Sequence, residues 1–560
     1  MAEKRTNLKI LSIDELNILA QNVRKTILEV IPVNGGHLAS NLGVVELTIS
    51  LHYVFNFPKD KLLFDVGHQC YTHKILTRDN FSSIRKKDGL SGFPKSSESK
   101  YDYFNTGHSS TALSIACGLM RARKLKNENY EIVSLVGDGS LSNGMCFEAL
   151  NDSASIDAKQ IIVLNDNNMT ISATVGGVTK ILKCENSAKC FFNSLGFDYI
   201  GQINGHDFVS LIDALECAKQ SKKSVVVHVI TEKGKGYNKA EECPDKFHSV
   251  GAKCGNSFSK RMGDTLVEMA GADKRVVAVT AAMADGTGLG SFANKYPDRF
   301  FDTGIAEGHA VTMCAALAKE GLKPYFAVYS TFLQRGFDQI IHDIMVQNLS
   351  VTLCVDHSGI VSDDGETHQG LINLSFLRTA NMIIASPKNG DELEAMLKWT
   401  LTVNKPIALR YCKGGEDNFL KVSPISLGKW EYFVENGEQG IIIYTGSKMA
   451  NLAVKLKESA MNNGLNLSTV NARFVNPIDE EMLDVLKDKK IFIFEDNILA
   501  GGLSSSIFEY YNKKGYCANN IMSFTFDNVL IPNMTSDEAY DEFGFNFNNI
   551  LSKALNFFAK

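Results

Sequence analysis

Two polar residues follow neighbouring apolar runs. Asp138 lies in "VGDGSLSNGMCFEAL", residues 136–150, with a glycine on either side. Asn167 lies in "VLNDNNMTIS", directly after the next apolar run. Alone, Gly-Asp-Gly reads as an ordinary turn, in which glycine lets the backbone bend sharply and the aspartate caps it. The pair reads differently. If the two runs are successive parallel strands of one βαβ unit, both ends fall on one edge of the sheet, where open α/β folds bind ligands. One carboxylate and one amide oxygen, with room for phosphate oxygens, suit magnesium, which takes oxygen ligands in octahedral geometry and shares them with a bound phosphate. The neutral amide leaves charge on the metal for those phosphates. The stretch is neither a Walker loop nor the Gly-x-Gly-x-x-Gly dinucleotide fingerprint.

A second carboxylate lies far along the chain. Glu307, in "DTGIAEGHAVTMCAALAKEG", sits between a short extended piece and an apolar helix. By itself it reads as an acidic residue stabilising a helix N-terminus. With Asp138 and Asn167 in place it reads as a catalytic carboxylate. Five of the twelve histidines lie in Gly- or Ser-bearing contexts: His37, His68, His73, His108 and His368. Some of these simply satisfy loop hydrogen bonds. His68 and His73 are five positions apart, not the four that put two metal ligands on one helix face. Histidines lining a pocket suit proton transfer, because their unperturbed pKa is about 6.5.

These residues need a scaffold of alternating strands and helices. Short β-branched runs at 131–136, 160–166, 224–230, 275–281, 351–356, 382–387, 440–446 and 490–496 alternate with amphipathic stretches at 142–155, 207–222, 308–320 and 389–403. That alternation predicts an α/β protein with mainly parallel sheets. Two polar, strand-poor stretches, 234–257 and 413–430, read as linkers and leave two large blocks and a smaller one. The net charge of −5 argues against non-specific nucleic-acid binding. No apolar run approaches the ~18–20 residues of a membrane span, and the polar start is unlike a secretory signal. Twelve cysteines without a Cys-x-x-Cys pair read as thiols of a cytoplasmic protein.

The Gly-Asp-Gly stretch followed by Asn167 resembles the thiamine-diphosphate motif. With "GGHLASNLGVVELTISLHYVFN", "DVGHQCYTHKILT", "LSGFPKSSES", "GHSSTALS", "KGKGY", "AEGHAV", "YSTFLQRGFDQIIHD", "DGETHQG" and "NARFVNPID", the chain resembles the 1-deoxy-D-xylulose-5-phosphate synthase family of transketolase-like thiamine-diphosphate enzymes. The resemblance spans nearly the whole chain in the family's order. It implies a three-domain architecture: 1–245 binding the diphosphate and magnesium, 255–415 binding the aminopyrimidine, and a smaller C-terminal α/β domain at 425–560. It implies a homodimer that joins pyruvate to D-glyceraldehyde 3-phosphate with loss of carbon dioxide, feeding isoprenoid, thiamine and pyridoxal phosphate supply. By motif, Asp138, Asn167 and the Met169 carbonyl would ligate magnesium. His68, Gly107, His108, Ser109, Gly139, Ser140, Tyr237 and Phe332 would line the cofactor, and Glu307 would activate its aminopyrimidine. His37, His368 and Asp364 would act around the substrate. Tyr329, Arg335 and His357 would shape the pocket, and Arg473 would meet the acceptor phosphate.

Three features depart from the family pattern. His357, in "LCVDHSGIVSDDGETHQG", stands where the family usually has an arginine that helps bind the acceptor phosphate. The chain after "NDNNMTISATVGGV" is short where family members carry a longer insertion over the site. Asn41, in "ASNLG", stands where glycine is common. The first two keep open a related transketolase-like or acyloin-forming enzyme with another donor or acceptor. A non-catalytic paralogue would have lost a core cofactor residue, and Asp138, Asn167 and Glu307 are all present.

Overall fold

The computed structural model describes residues 8–169, 175–251, 257–361, 364–414, 420–527 and 530–559. They fall into two compact units. The first comprises Met1–Ala252 with Gly304–Ala306 and Asp363–Thr367, and the second holds the rest.

The first unit is built on β1 (Lys61–Phe64), β2 (Ile132–Gly137), β3 (Ile161–Asp166), β4 (Asp198–Asn204) and β5 (Val225–Ile230). They form a parallel sheet in the order β1-β2-β3-β5-β4. The central strands read as near-continuous apolar runs because both faces are covered. Alternation along each strand divides the core in two. Val133, Leu135, Ile161 and Val163 enter one cluster, with Phe208 and Leu211 of the helix Phe208–Gln220. Ile132, Val136, Ile162 and Leu164 enter the other, with Leu113 and Ala116 of Ala112–Lys126. Side chains of successive strand residues point to opposite faces, which gives this split.

The second unit carries β6 (Val276–Thr280), β7 (Phe300–Asp302), β8 (Lys323–Tyr329), β9 (Thr352–Ser358), β10 (Ile383–Ala385) and β11 (Ile407–Cys412). It continues with β12 (Glu431–Phe433), β13 (Gly440–Tyr444), β14 (Leu467–Asn471), β15 (Phe474–Asn476), β16 (Ile491–Ile498) and β17 (Ile521–Phe526). A seven-stranded sheet has the order β15-β10-β11-β9-β8-β6-β7, parallel except at β15. A five-stranded sheet has the order β12-β14-β13-β16-β17, parallel except at β12. The fold is α/β with three mainly parallel sheets, as the sequence predicts.

The eight strands predicted from apolar runs are present. Some strands not predicted are short or polar, such as the four-residue β1 and the half-exposed "DYIGQIN" of β4, whereas β8 and β11 are buried runs of seven and six residues. The expected linker at 234–257 is, through residue 251, no linker. It holds the helix Asn238–Glu242, and Gly36 bridges to Val250. Its few apolar residues decide this: Tyr237, Phe247 and Val250 pack onto the first core. Residues 252–256 of that stretch, 415–419 of the second linker and 170–174 of the shortened segment lie outside the described residues. Among the described residues no helix is long and apolar enough to cross a membrane.

Candidate active site

In the first unit, Gly137 pairs with Asn165 across β2 and β3. Asp138 and Asn167 therefore leave the sheet on the same edge. Asp138 opens the short helical turn Asp138–Leu141, in which Gly139 and Ser140 are buried. Asp166 Oδ1 accepts from the Asn168 amide at 3.0 Å, and Asn167 Oδ1 accepts from the Met169 amide at 3.1 Å. Burial, then the Asp166 charge, pushes the Asp138 carboxyl well above the usual carboxylate range, with Lys233 opposing. Burial lowers the Lys233 ammonium to about 8. Two close, buried carboxylates with one weakened lysine form an acidic edge that a divalent cation would neutralise. Asp138, Asn167 Oδ1 and the Met169 carbonyl supply oxygens only, the donor chemistry of magnesium.

Beside this edge stand three imidazoles. The ring centroids of His37, His68 and His248 lie 5.3, 5.4 and 5.7 Å apart. Burial holds His68 and His248 well below the usual imidazole pKa, so both rings are neutral near pH 7. His68 Nδ1 is buried with no hydrogen-bond partner. Asn41 fixes two of the three residues. Its amide donates to the His37 carbonyl at 2.6 Å and to the His68 carbonyl at 2.7 Å, and its oxygen accepts from the Tyr71 amide at 2.9 Å. Gly67, just before His68, has φ +90°, and a Cβ there would collide with Thr106 Oγ1 and the Pro94 ring.

The loop from Gly107 to Ser109 is held from below by Asp65, which accepts from the Ser110 amide at 2.7 Å and the Ala112 amide at 3.2 Å. A Cβ at Gly107 would collide with Thr367. His108 Nε2 lies 3.0 Å from the Thr367 carbonyl. Asp364 pairs with Arg85 at 2.8 Å and Glu366 with Lys95 at 2.6 Å, which ties 364–367 into this unit. Tyr237 packs edge-on to Phe247, one residue before His248.

In the second unit, Glu307 is the first residue of the helix Glu307–Lys319 and is buried. Burial raises its carboxyl above the ordinary value, with the nearby Arg335 charge opposing. Glu307 Oε2 has no hydrogen-bond partner. Tyr329 ends β8, and its ring stacks on His357 of β9 at 3.7 Å. Phe332 stacks on Tyr329 at 5.9 Å and meets His368 edge-on at 5.5 Å. His357 has φ +55° and is oriented by Asp356, whose Oδ1 lies 2.9 Å from its Nδ1. Buried polar atoms usually have partners. In the first unit His68 Nδ1 is without one, beside an oxygen-donor edge that fits a divalent metal, and in the second unit Glu307 Oε2 is without one and fits a polar group.

Arg473 is held among acidic neighbours. It is buried between Glu392, at 2.8 Å, and Glu431, and also donates to Ser423 Oγ at 3.0 Å. Lys388 shares both carboxylates. The Arg473 charge is thus engaged in a buried cluster of two carboxylates and a second cation. The motif "NARFVNPID" identifies the residue type but not the acidic partners, which come from positions distant in sequence. The sequence reading also missed Lys233, His248 and Asp65. His248 lies in a polar stretch that resembles a linker, and Lys233 opens "KGKGY", whose motif points to Tyr237.

Residues 1–191 and 183–231 match the family model described as 1-deoxy-D-xylulose-5-phosphate synthase. Residues 256–415 match the transketolase pyrimidine binding domain, and 428–550 the transketolase C-terminal domain. The chain is 44% identical to the 1-deoxy-D-xylulose-5-phosphate synthase of Clostridium tetani over 98% of each chain. The chain belongs to the 1-deoxy-D-xylulose-5-phosphate synthase family. The synthase of Clostridium beijerinckii is likewise 44% identical, over 97% of each chain. That of Caldanaerobacter subterraneus is 42% identical over 98% of this chain and 97% of its own. The alignment with the C. tetani synthase spans 608 residues, more than the 560 of this chain, so that relative carries segments without a counterpart here.

Proposed function

We propose that this chain condenses pyruvate with D-glyceraldehyde 3-phosphate, releasing carbon dioxide and forming 1-deoxy-D-xylulose 5-phosphate. The observation that carries this is 44% identity to a synthase of that name over 98% of each chain. The enzyme is a thiamine-diphosphate-dependent transferase that uses a divalent metal such as magnesium. When bound, the cofactor supplies the electron sink that lets the carboxylate of pyruvate leave.

The chain's own residues then have these roles. Asp138, Asn167 and the Met169 carbonyl would hold magnesium against the diphosphate. His68, Gly107, His108, Ser109, Gly139, Ser140, Tyr237 and Phe332 would line the cofactor. Glu307, with its raised carboxyl and open Oε2, would hold a proton at a pyrimidine ring nitrogen. His37, with the neutral His68 and His248 beside it, would move protons at the substrate, as would His368. Asp364, fixed by Arg85, Tyr329, Arg335 and His357 would shape the substrate pocket. We assign 1–245 to the diphosphate, 255–415 to the aminopyrimidine and 425–560 to a C-terminal domain. We place the enzyme in the cytoplasm as a homodimer, both on the family resemblance. Its product supplies isoprenoid, thiamine and pyridoxal phosphate synthesis.

A panel of ketone donors and aldehyde acceptors, read by mass spectrometry, tests the assignment. Pyruvate with D-glyceraldehyde 3-phosphate is expected to exceed every other pair in kcat/KM. Preference for another pair would overturn it.

A further inference from the structure

β5 reads "VVVHVI", and its single polar residue, His228, is fully buried. A core histidine is ordinarily just a satisfied polar group. The partners of His228 point further. Its Nε2 lies 2.9 Å from Asp166 Oδ2, and its Nδ1 lies 2.7 Å from the Tyr199 hydroxyl. A carboxylate only accepts, so Nε2 carries the hydrogen, and in the neutral ring Nδ1 then accepts from Tyr199. The strands make room for this arrangement. Gly201 of β4 is in register with His228, and a Cβ at Gly201 would press on the His228 Cβ and carbonyl oxygen.

The relay ends at the residue before Asn167. Asp166 receives His228 on Oδ2 and the Asn168 amide on Oδ1. Both of its oxygens are therefore tied, one to the sheet and one to the turn. Asn168 has φ +56°, a left-handed state that asparagine adopts more readily than most residues, and the Asp166 bond to its amide helps fix it. That turn carries Asn167, whose Oδ1 accepts from the Met169 amide, and Met169 itself.

We propose that Tyr199, His228 and Asp166 are positioning residues of the divalent-metal site, holding the 166–169 turn so that Asn167 Oδ1 and the Met169 carbonyl meet the metal's geometry. This rests on the reading that Asp138, Asn167 and Met169 hold the metal. Magnesium and manganese demand a regular octahedron, whereas calcium accepts irregular, expanded coordination. The relay thus sets ion selectivity as well as affinity. Outer partners of this kind typically carry about 10–100-fold in metal affinity.

The test is a manganese titration of the full-length protein with thiamine diphosphate, followed by electron paramagnetic resonance of the free ion. Competition by magnesium and calcium follows. Tyr199→Phe, which only removes a hydroxyl, is expected to weaken manganese and magnesium by about tenfold and calcium much less, with the apo melting temperature unchanged. His228→Met is expected to lose more. His228→Gln, which keeps a donor toward Asp166, is expected to recover most of that loss. Affinity and selectivity unchanged in Tyr199→Phe would overturn the proposal, even if His228→Met failed to fold. If wild type does not bind manganese, or Asp138→Ala binds it normally, the metal-site reading itself fails. Normal binding by wild type, loss in Asp138→Ala and wild-type behaviour in Tyr199→Phe would sink the relay alone.

Discussion

Replacing Glu307 with glutamine should move stability and turnover in opposite directions. Glu307 is 4% exposed, and its Oε2 has no partner. A buried, unpaired polar oxygen costs about 1–3 kcal/mol, and a charged one more. Its place at a helix N-terminus returns about 0.3–1 kcal/mol, and the Arg335 charge adds to that return. Glutamine keeps the shape and removes the charge, so the apo variant should be more stable by about 1 kcal/mol near neutral pH. The gain should depend on pH. The Glu307 carboxyl titrates higher in the folded chain than in the unfolded one. Between those two values the folded state binds more protons, so wild-type stability falls as pH rises through the window. The variant's advantage should therefore be absent near pH 4 and present near pH 8. Turnover should fall about 10²–10⁴-fold, the usual contribution of a positioned acid or base, or about 2.7–5.5 kcal/mol. Melting of the apo protein across pH and steady-state kinetics with saturating cofactor read both effects. Near-normal kcat, or a variant less stable than wild type at pH 8, would refute the reasoning.

Other substitutions separate binding from structure. His357→Arg adds a fixed cation next to Tyr329. It should lower KM for D-glyceraldehyde 3-phosphate about tenfold, the size of one charged hydrogen bond, and leave KM for unphosphorylated glyceraldehyde unchanged. An equal effect on both would detach His357 from the phosphate. Arg473→Met leaves Glu392 and Glu431 one cation, Lys388, with neutral donors from Asn471 and Ser423. It should cost about 3–5 kcal/mol, as breaking a buried ion pair does, read as a lower urea midpoint. An undisturbed midpoint with a sharply raised KM for the phosphorylated acceptor would assign Arg473 to the acceptor phosphate instead. Asn41→Gly removes three hydrogen bonds and should cost about 2–4 kcal/mol, with weaker thiamine diphosphate binding by calorimetry. Unchanged stability would show that the His37 and His68 segments are held by other contacts.

The sequence reveals this protein unevenly. The central strands are legible because burial on both faces forces continuous apolar runs, as in "IIVLND" and "VVVHVI". Asp138 and Asn167 are legible because they follow two such runs, and parallel pairing then fixes their common edge. Glu307 is legible only once those two are placed, since a glutamate opening a helix is ordinary. The three-imidazole cluster is not legible. It joins His37, His68 and His248 from distant parts of the chain, and the last lies in a polar stretch whose few apolar residues dock it. The fate of Arg473 is also hidden, because Glu392 and Glu431 reach it from different segments of the second unit. Single motifs report residue types. Which charges meet is decided by packing.

The most direct measurement is product formation by the purified chain, with each component withheld in turn. With magnesium, thiamine diphosphate, pyruvate and D-glyceraldehyde 3-phosphate, equal amounts of carbon dioxide and 1-deoxy-D-xylulose 5-phosphate are expected. Chelation of the metal or replacement of Asp138 by alanine should abolish both. Carbon dioxide release with no 1-deoxy-D-xylulose 5-phosphate, or product formation undiminished in Asp138→Ala, would contradict the assignment.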